Sequence, residues 1–467
     1  MPDTTHLAIP HVMPQAAHRT TAPGCALPGT PLHQASAGLD ACVHCGFCLQ
    51  ACPTYVNLED ENDSPRGRLV LMRRLLDGDI ALTDEGVAKH LDRCLGCRAC
   101  ETACPSGVPY GELLEATRAT MAPVRGIPFV ARLVLAVFRH HLPLRAALLG
   151  ARLFRATGVP RVLAKVLPRR LAFPMGMLAA SEPVGLRGAA SGGRTLERRE
   201  LEPRELVPRE LVPRKLDTRK LEPRETVTLL EGCVMSGLFA HVNSATTGAL
   251  AHNGFRVCTT QGQRCCGALH AHAGDLESAR ALARENIVAF ERSEAALVVV
   301  NAAGCGAMLK QYGHLLHDDP AWAARAESLS ARTRDVSELL ATVGPAPGHL
   351  DVARRVTHDA PCHQMHAQRI VKPPLQLLGA VPGLSVTPLE DADQCCGSAG
   401  IYNLVEPDTS DAVLTPKLAR IAESHAELLA TGNPGCHMQI GAGLLLSGSD
   451  VKVVHPVELL AASYGHH

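Results

Sequence analysis

The spacing of hydrophobic and polar positions changes several times along the chain, and each change marks a part. The first 37 residues are rich in Pro, His, Ala and Thr without periodicity and are expected to form a poorly ordered extension, in which Cys25 stands alone. From Arg68 to Leu76 the apolar positions repeat at helical spacing, with Gly78 as a stop, and Gly111 to Met121 predicts another helix. From Ile127 to Leu171 the chain is rich in Leu, Ala, Val and Arg, punctuated by Pro128, Pro143, Pro160 and Pro168. That pattern predicts helices with basic faces joined by turns, suited to packing between domains or to a membrane surface. Leucine then recurs every five residues, at Leu196, Leu201, Leu206, Leu211, Leu216 and Leu221. A period of five suits neither helix nor strand, and the interspersed prolines oppose both, so this stretch reads as an extended linker without chemistry. After Thr226 the pattern alternates. Val227–Leu230, Leu297–Asn301 and Arg355–His358 read as strands, with amphipathic helices over Asp275–Phe290 and Ser410–Leu429, which indicates α/β domains.

Composition narrows the function classes. At 467 residues the chain exceeds one compact core. Its 46 Lys and Arg balance its 46 Asp and Glu, and aromatic residues make up 3%, so neither the field nor the stacking surface of a nucleic-acid binder is present. Eighteen cysteines are the outlier. No basic region followed by an apolar one opens the chain, and no run of eighteen apolar residues appears, so a reducing, cytoplasmic setting is expected. Cysteines in that setting serve as metal ligands more readily than as disulfides.

Eight of them form two copies of one run. Cys42, Cys45, Cys48 and Cys52-Pro53 repeat the C-x2-C-x2-C-x3-C-P spacing of Cys94, Cys97, Cys100 and Cys104-Pro105. In this arrangement three closely spaced thiolates hold one [4Fe-4S] cubane and the fourth reaches the other cluster. Cys42, Cys45, Cys48 and Cys104 are therefore expected to hold one cluster, and Cys94, Cys97, Cys100 and Cys52 the second. Zinc knuckles space their cysteine pairs more widely.

Eight more form a second duplicated set. Cys233, Cys265-Cys266-Gly267 and Cys305 recur as Cys362, Cys395-Cys396-Gly397 and Cys436 at offsets of 129, 130 and 131 residues. One unit of about 130 residues therefore occurs twice. Each cysteine group follows a predicted strand or lies in a loop, where α/β folds place ligands. An iron–sulfur centre, zinc, or a dithiol without metal all fit these eight residues. His363 and His437 each follow a motif cysteine and read as solvated loop residues, with ligand or supporting roles as the alternative. Cys258 reads as a buried apolar residue in a strand.

The order of motifs resembles the iron–sulfur subunits of glycolate oxidase (glycolate dehydrogenase). The likeness extends to Ala41-Cys-Val-His-Cys-Gly-Phe-Cys48, Pro65-Arg-Gly-Arg68, His90-Leu-Asp-Arg-Cys94, Leu230-Glu-Gly-Cys233 and Cys395-Cys-Gly-Ser-Ala-Gly400, covering roughly residues 38–180 and 226–465. It implies a multidomain α+β chain, in which a helical, bacterial-type two-cluster ferredoxin domain precedes two repeated α/β cysteine-rich (CCG) domains. The expected divisions are 1–37, 38–120 (ferredoxin), 121–180 (helical connector), 181–226 (linker), 227–344 and 345–467. It also implies flavoprotein partner subunits that oxidise glycolate to glyoxylate, a quinone-type acceptor, and peripheral association with the inner membrane. Arg66, Arg68, Arg93 and Arg98 would offset the negative charge of the clusters; otherwise they are surface arginines. No G-x-G-x-x-G follows a strand, so flavin is expected on a partner and no catalytic residue is assigned. Two readings stay open. One is the iron–sulfur subunit of an anaerobic glycerol-3-phosphate or lactate dehydrogenase. The other is a heterodisulfide-reductase-like chain whose CCG centres perform thiol–disulfide chemistry. Ala302 and Asn433 stand where that family's extra cysteine would fall.

Overall fold

The computed structural model describes residues 25–186, 224–350 and 352–466, so most of the pentad segment lies outside the described residues. The expected extension ends earlier than position 37. Short helices at Pro31–Gln34 and Ala37–Asp40 pack on helix Tyr110–Arg125, where Leu32 is fully buried and its N–H donates to Thr120 Oγ1 at 3.0 Å. Cys25 packs against the same core and is partly buried. The anchoring residues Leu32 and Leu39 are too sparse to register as a period.

Helices Pro65–Leu76, Glu85–Asp92 and Tyr110–Arg125 enclose the ferredoxin core around Met72, Leu75, Leu91 and Leu113. Ser64 caps the first of them by accepting from Gly67 N–H, with Pro65 at its first position. The connector forms four helices, Phe129–Arg139, His141–Ala156, Val159–Val166 and Arg169–Ala180. Pro128, Pro160 and Pro168 start helices, as the spacing predicts. Pro143 lies in the first turn of its helix, where a missing N–H costs nothing, so it makes no break.

The two C-terminal units repeat one topology. Strands β1 (Thr226–Leu229), β2 (Arg256–Cys258), β3 (Leu297–Val300) and β4 (Thr333–Asp335) form a parallel sheet in the order β2-β1-β3-β4. Strands β5 (Arg354–His358), β6 (Leu384–Pro388), β7 (Leu428–Ala430) and β8 (Lys452–Val454) form another in the order β6-β5-β7-β8. All pairings are parallel. Parallel sheets need helices on both faces, which the alternation supplies. The chain is thus an α+β assembly, mostly helical, with two small parallel sheets. One helix boundary differs from the expected one. The helix predicted over Ser410–Leu429 runs Pro407–Glu423, because His425 turns into the left-handed region (φ 50°) and the chain enters β7 at Leu428. Cys258 does end a strand but is only half-buried.

Candidate functional site

The two ferredoxin runs fold alike. In each, the residues on both sides of the second cysteine are left-handed: His44 (φ 55°) and Gly46 (φ 86°), then Gly96 (φ 62°) and Arg98 (φ 63°). Two such turns in succession curl the backbone around the thiols and aim amides inward, as in Gly96 N–H to Cys94 Sγ at 3.5 Å. His44 and Arg98 hold this shape despite a cost of about 1 kcal/mol or more for a side chain with a Cβ.

Two cavities result. Cys42, Cys45, Cys48 and Cys104 line one, and Cys52, Cys94, Cys97 and Cys100 line the other. Each quartet combines three cysteines of one run with the last of the other. Tyr110 and Cys100 border both cavities, and the Tyr110 hydroxyl donates to Cys94 Sγ at 3.6 Å. The first quartet lies near the surface, with Cys45 exposed between the exposed Val43 and Phe47; the second is wholly buried. Burial pushes the Cys100 thiol well up, and burial followed by the neighbouring Cys395 does the same to Cys97. Thiols gathered where ionisation is opposed suit a cationic metal centre that would hold them as thiolates.

Of the four arginines, Arg68 is not a surface residue. It is fully buried, donating to His90 O at 2.7 Å and Thr54 Oγ1 at 3.0 Å, with Nη1 4.0 Å from Cys52 Sγ. Burial works against its charge, but Cys94, Cys52 and Asp63 outweigh it and hold the guanidinium ionised. Asp63, equally buried, accepts from Arg68 at 3.2 Å and Arg93 at 2.9 Å. Arg66 and Arg98 pair with Glu61 and Glu101.

In the C-terminal units every cysteine group follows the C-terminal end of a strand: Cys233 after β1, Cys265-Cys266 after β2, Cys305 after β3, then Cys362, Cys395-Cys396 and Cys436 after β5, β6 and β7. The glycine after each cysteine pair is left-handed, Gly267 at φ 90° and Gly397 at φ 84°. A Cβ there would meet Ala279 O at 3.2 Å and Ser410 O at 2.5 Å, the same helix position in each repeat. Only glycine permits both the turn and the approach. The thiols of each repeat sit side by side and perturb one another: Cys265 and then burial raise Cys233, while Cys395 and Cys436 raise Cys396. Hydrogen bonds from Cys362 and Cys396 hold Cys395 well below the ordinary thiol range.

The repeats face each other with these ends inward. Ala303 N–H donates to Gly432 O at 3.0 Å, Gly304 N–H to Asn433 Oδ1 at 3.2 Å, and Gln368 Nε2 to Ala303 O at 2.9 Å. All eight cysteines thereby line one cavity of about 630 Å³, which Cys94 also borders. Beneath the second set lies a buried ion pair absent from the sequence reading, Lys417 Nζ to Asp359 Oδ1 at 2.6 Å. A lysine inside an amphipathic helix gives no signal of burial.

The two histidines correct the sequence reading. His437 is buried inside helix Pro434–Leu446, and His363 is half-buried at the wall of the cysteine-lined cavity. His363 stacks on His272 at 5.3 Å with Nδ1 3.8 Å from Cys362 Sγ, while His437 turns Nε2 to Ala180 O at 3.2 Å, away from the thiols. Burial pulls both to about 3.

Comparison with known proteins bears on these features. A 4Fe-4S dicluster domain model matches residues 38–108, and a cysteine-rich domain model matches 227–310 and 356–441. The "Glycolate oxidase iron-sulfur subunit" of Escherichia coli (strain K12) is 32% identical over 434 residues, covering 91% of this chain and 94% of that protein. The "Probable glycolate oxidase iron-sulfur subunit" of Bacillus subtilis (strain 168) is 36% identical over 440 residues, with the same coverage. The chain belongs to the glycolate oxidase iron–sulfur subunit family. Lactate utilization protein A of an Exiguobacterium strain is similar over a smaller part, 33% identical across 50% of this chain and 96% of its own length. Family membership makes this an iron–sulfur subunit of an oxidoreductase. Among the described residues no single helix is long and apolar enough to cross a membrane.

Proposed function

We propose that the chain passes electrons from a flavoprotein that oxidises glycolate to a quinone-type acceptor and oxidises nothing itself. The observation that carries this reading is the contact between the two cysteine systems: Cys97 of the second quartet, with its neighbours Leu95 and Ala99, packs with Cys395 and Tyr402 of the second CCG domain. Cys42, Cys45, Cys48 and Cys104 would hold one [4Fe-4S] cluster, and Cys94, Cys97, Cys100 and Cys52 the other. Bound there, such clusters supply one-electron transfer. Cys233, Cys265, Cys266 and Cys305, with Cys362, Cys395, Cys396 and Cys436, would hold a further iron–sulfur or zinc centre.

The residues around the quartets have matching tasks. Exposed Val43 and Phe47 offer a flavoprotein a contact beside the first quartet. Arg68 sets a fixed positive charge against the second, favouring the reduced state of an anionic centre. Arg118 ties the parts together, donating from Nη2 to Cys94 O at 2.8 Å and from Nη1 to His272 O at 2.9 Å. The test is reconstitution with flavoprotein subunits encoded beside this chain, comparing glycolate, D-lactate and glycerol 3-phosphate as donors. Glycolate-dependent reduction of a quinone is expected. Activity confined to glycerol 3-phosphate would assign another donor, and disulfide reduction by the isolated chain would make the CCG cavity a catalytic site.

A further inference from the structure

The connector presents an unusual surface. Among the described residues, eleven of the twenty exposed large apolar side chains lie between Phe129 and Leu171. They form stripes at helical spacing: Phe129 and Leu133 on the first helix, Leu142, Leu149 and Leu153 on the second, Val159, Val162 and Val166 on the third. Leu142 is 77% exposed and Val166 70%. A soluble surface rarely gathers so many without a partner.

The charge of this segment is one-sided. From Ala116 to Ser181 there is no aspartate or glutamate, while nine Lys or Arg side chains lie between Phe129 and Ala180. Arg139, Arg161, Arg169 and Arg170 pair with Glu285, Glu182, Asp411 and Asp408. Arg132, Arg145, Arg152 and Lys165 are exposed among the apolar stripes. Apolar stripes interleaved with cations are what an anionic lipid surface binds, the rings and branched chains entering the acyl boundary while the long cationic stems reach the headgroups.

The first helix has a second face. Its exposed side carries Phe129, Val130 and Leu133, whereas Ala131, Val134 and Phe138 line the cavity that holds the eight CCG cysteines. We propose that the connector docks on an anionic bilayer, with helix Phe129–Arg139 as the wall between the lipid and that cavity. A lipid-soluble acceptor leaving the bilayer would then meet the cysteines without crossing water. This use of the face rests on the electron-transfer reading; the lipid contact does not.

The test is flotation of the full, cluster-containing chain with vesicles of phosphatidylcholine, with or without phosphatidylglycerol, and it requires no turnover. Binding should appear with phosphatidylglycerol and weaken as salt rises. A Leu142→Asp, Val162→Asp, Val166→Asp triple variant should bind at least tenfold more weakly, with cluster absorbance and unfolding temperature unchanged. Arg145→Glu with Arg152→Glu should abolish the preference for the anionic lipid. Equal binding of wild type and both variants, or no binding to anionic vesicles, would overturn the proposal. So would a lipid-free dimer that the triple variant dissolves, which would assign the face to a second copy. Loss of vesicle binding when the flavoprotein subunits join would assign it to them. Vesicle binding together with failed reconstitution would leave the lipid contact standing and refute the electron-transfer reading alone.

Discussion

Tyr402 of the second CCG domain donates its hydroxyl to the carbonyl of Arg93 at 2.8 Å, one residue before the first cysteine of the second ferredoxin run. The bond lies inside the contact that joins Cys97 to Cys395, so it fixes one cysteine system against the other. Tyr402→Phe leaves that carbonyl without its donor while keeping the ring. It should lower stability by about 1–2 kcal/mol. A denaturant midpoint equal to wild type would show that the domains are held elsewhere.

Cys94→Ser would remove one of the proposed ligands from the buried quartet and leave Cys42, Cys45, Cys48 and Cys104 complete. Iron and labile sulfide of about eight per chain from the two ferredoxin sites should fall toward four, or to a three-iron form at one site. The electron paramagnetic resonance spectrum should lose one signal and keep the other. An unchanged spectrum would contradict the crossed arrangement of the quartets.

Lys417 and Asp359 are both nearly inaccessible, and Thr431 donates to the same carboxylate at 2.8 Å. Lys417→Met would strand a buried carboxylate and should cost about 3–5 kcal/mol. Combining it with Asp359→Leu should recover most of that loss, because two apolar groups replace a pair that is expensive to desolvate. Equal destabilisation of single and double variants in urea would refute this.

Two groups at one helix start give opposite pH responses. His455 accepts from Val457 N–H at Nδ1 (3.1 Å), which leaves Nε2 to donate to Asn301 O (2.9 Å), and burial pulls it to about 4. Its folded value lies below the unfolded one, so its contribution is present above pH 6.5 and lost as pH falls toward 4. Glu458 accepts from His455 N–H at 2.7 Å, and burial raises it to about 7. Its contribution is present below pH 4.5 and lost as pH rises through 7. Relative to wild type, His455→Asn should gain stability on acidification and Glu458→Gln on alkalinisation, each by up to about 3 kcal/mol. Thermal unfolding at pH 4.5, 6 and 8 measures both, and parallel profiles for the three proteins would contradict the assignment.

The cysteine ladder made much of the fold legible. Fixed short spacings marked the ferredoxin runs, and the near-constant offset of 130 residues marked the repeat, because ligand geometry tolerates little variation. Strands such as β4, β7 and β8 are three residues long, too short to carry a period, and the helical pattern that precedes β7 runs on into its first residues. The burial of His437 and Lys417 and the half-burial of His363 are hidden for another reason. Their neighbours His272, Ala180 and Asp359 are 58 to 257 residues away, so only tertiary packing reveals them.

The role proposed for this chain is to carry electrons it does not itself extract. Its most direct test is to add glycolate anaerobically to the chain alone and to the chain with its flavoprotein subunits, and to record the iron–sulfur signal by electron paramagnetic resonance. No reduction of the chain alone and rapid reduction in the complex are expected. Reduction of the isolated chain by glycolate, or a complex that turns over while no reduced-cluster signal develops, would contradict that role.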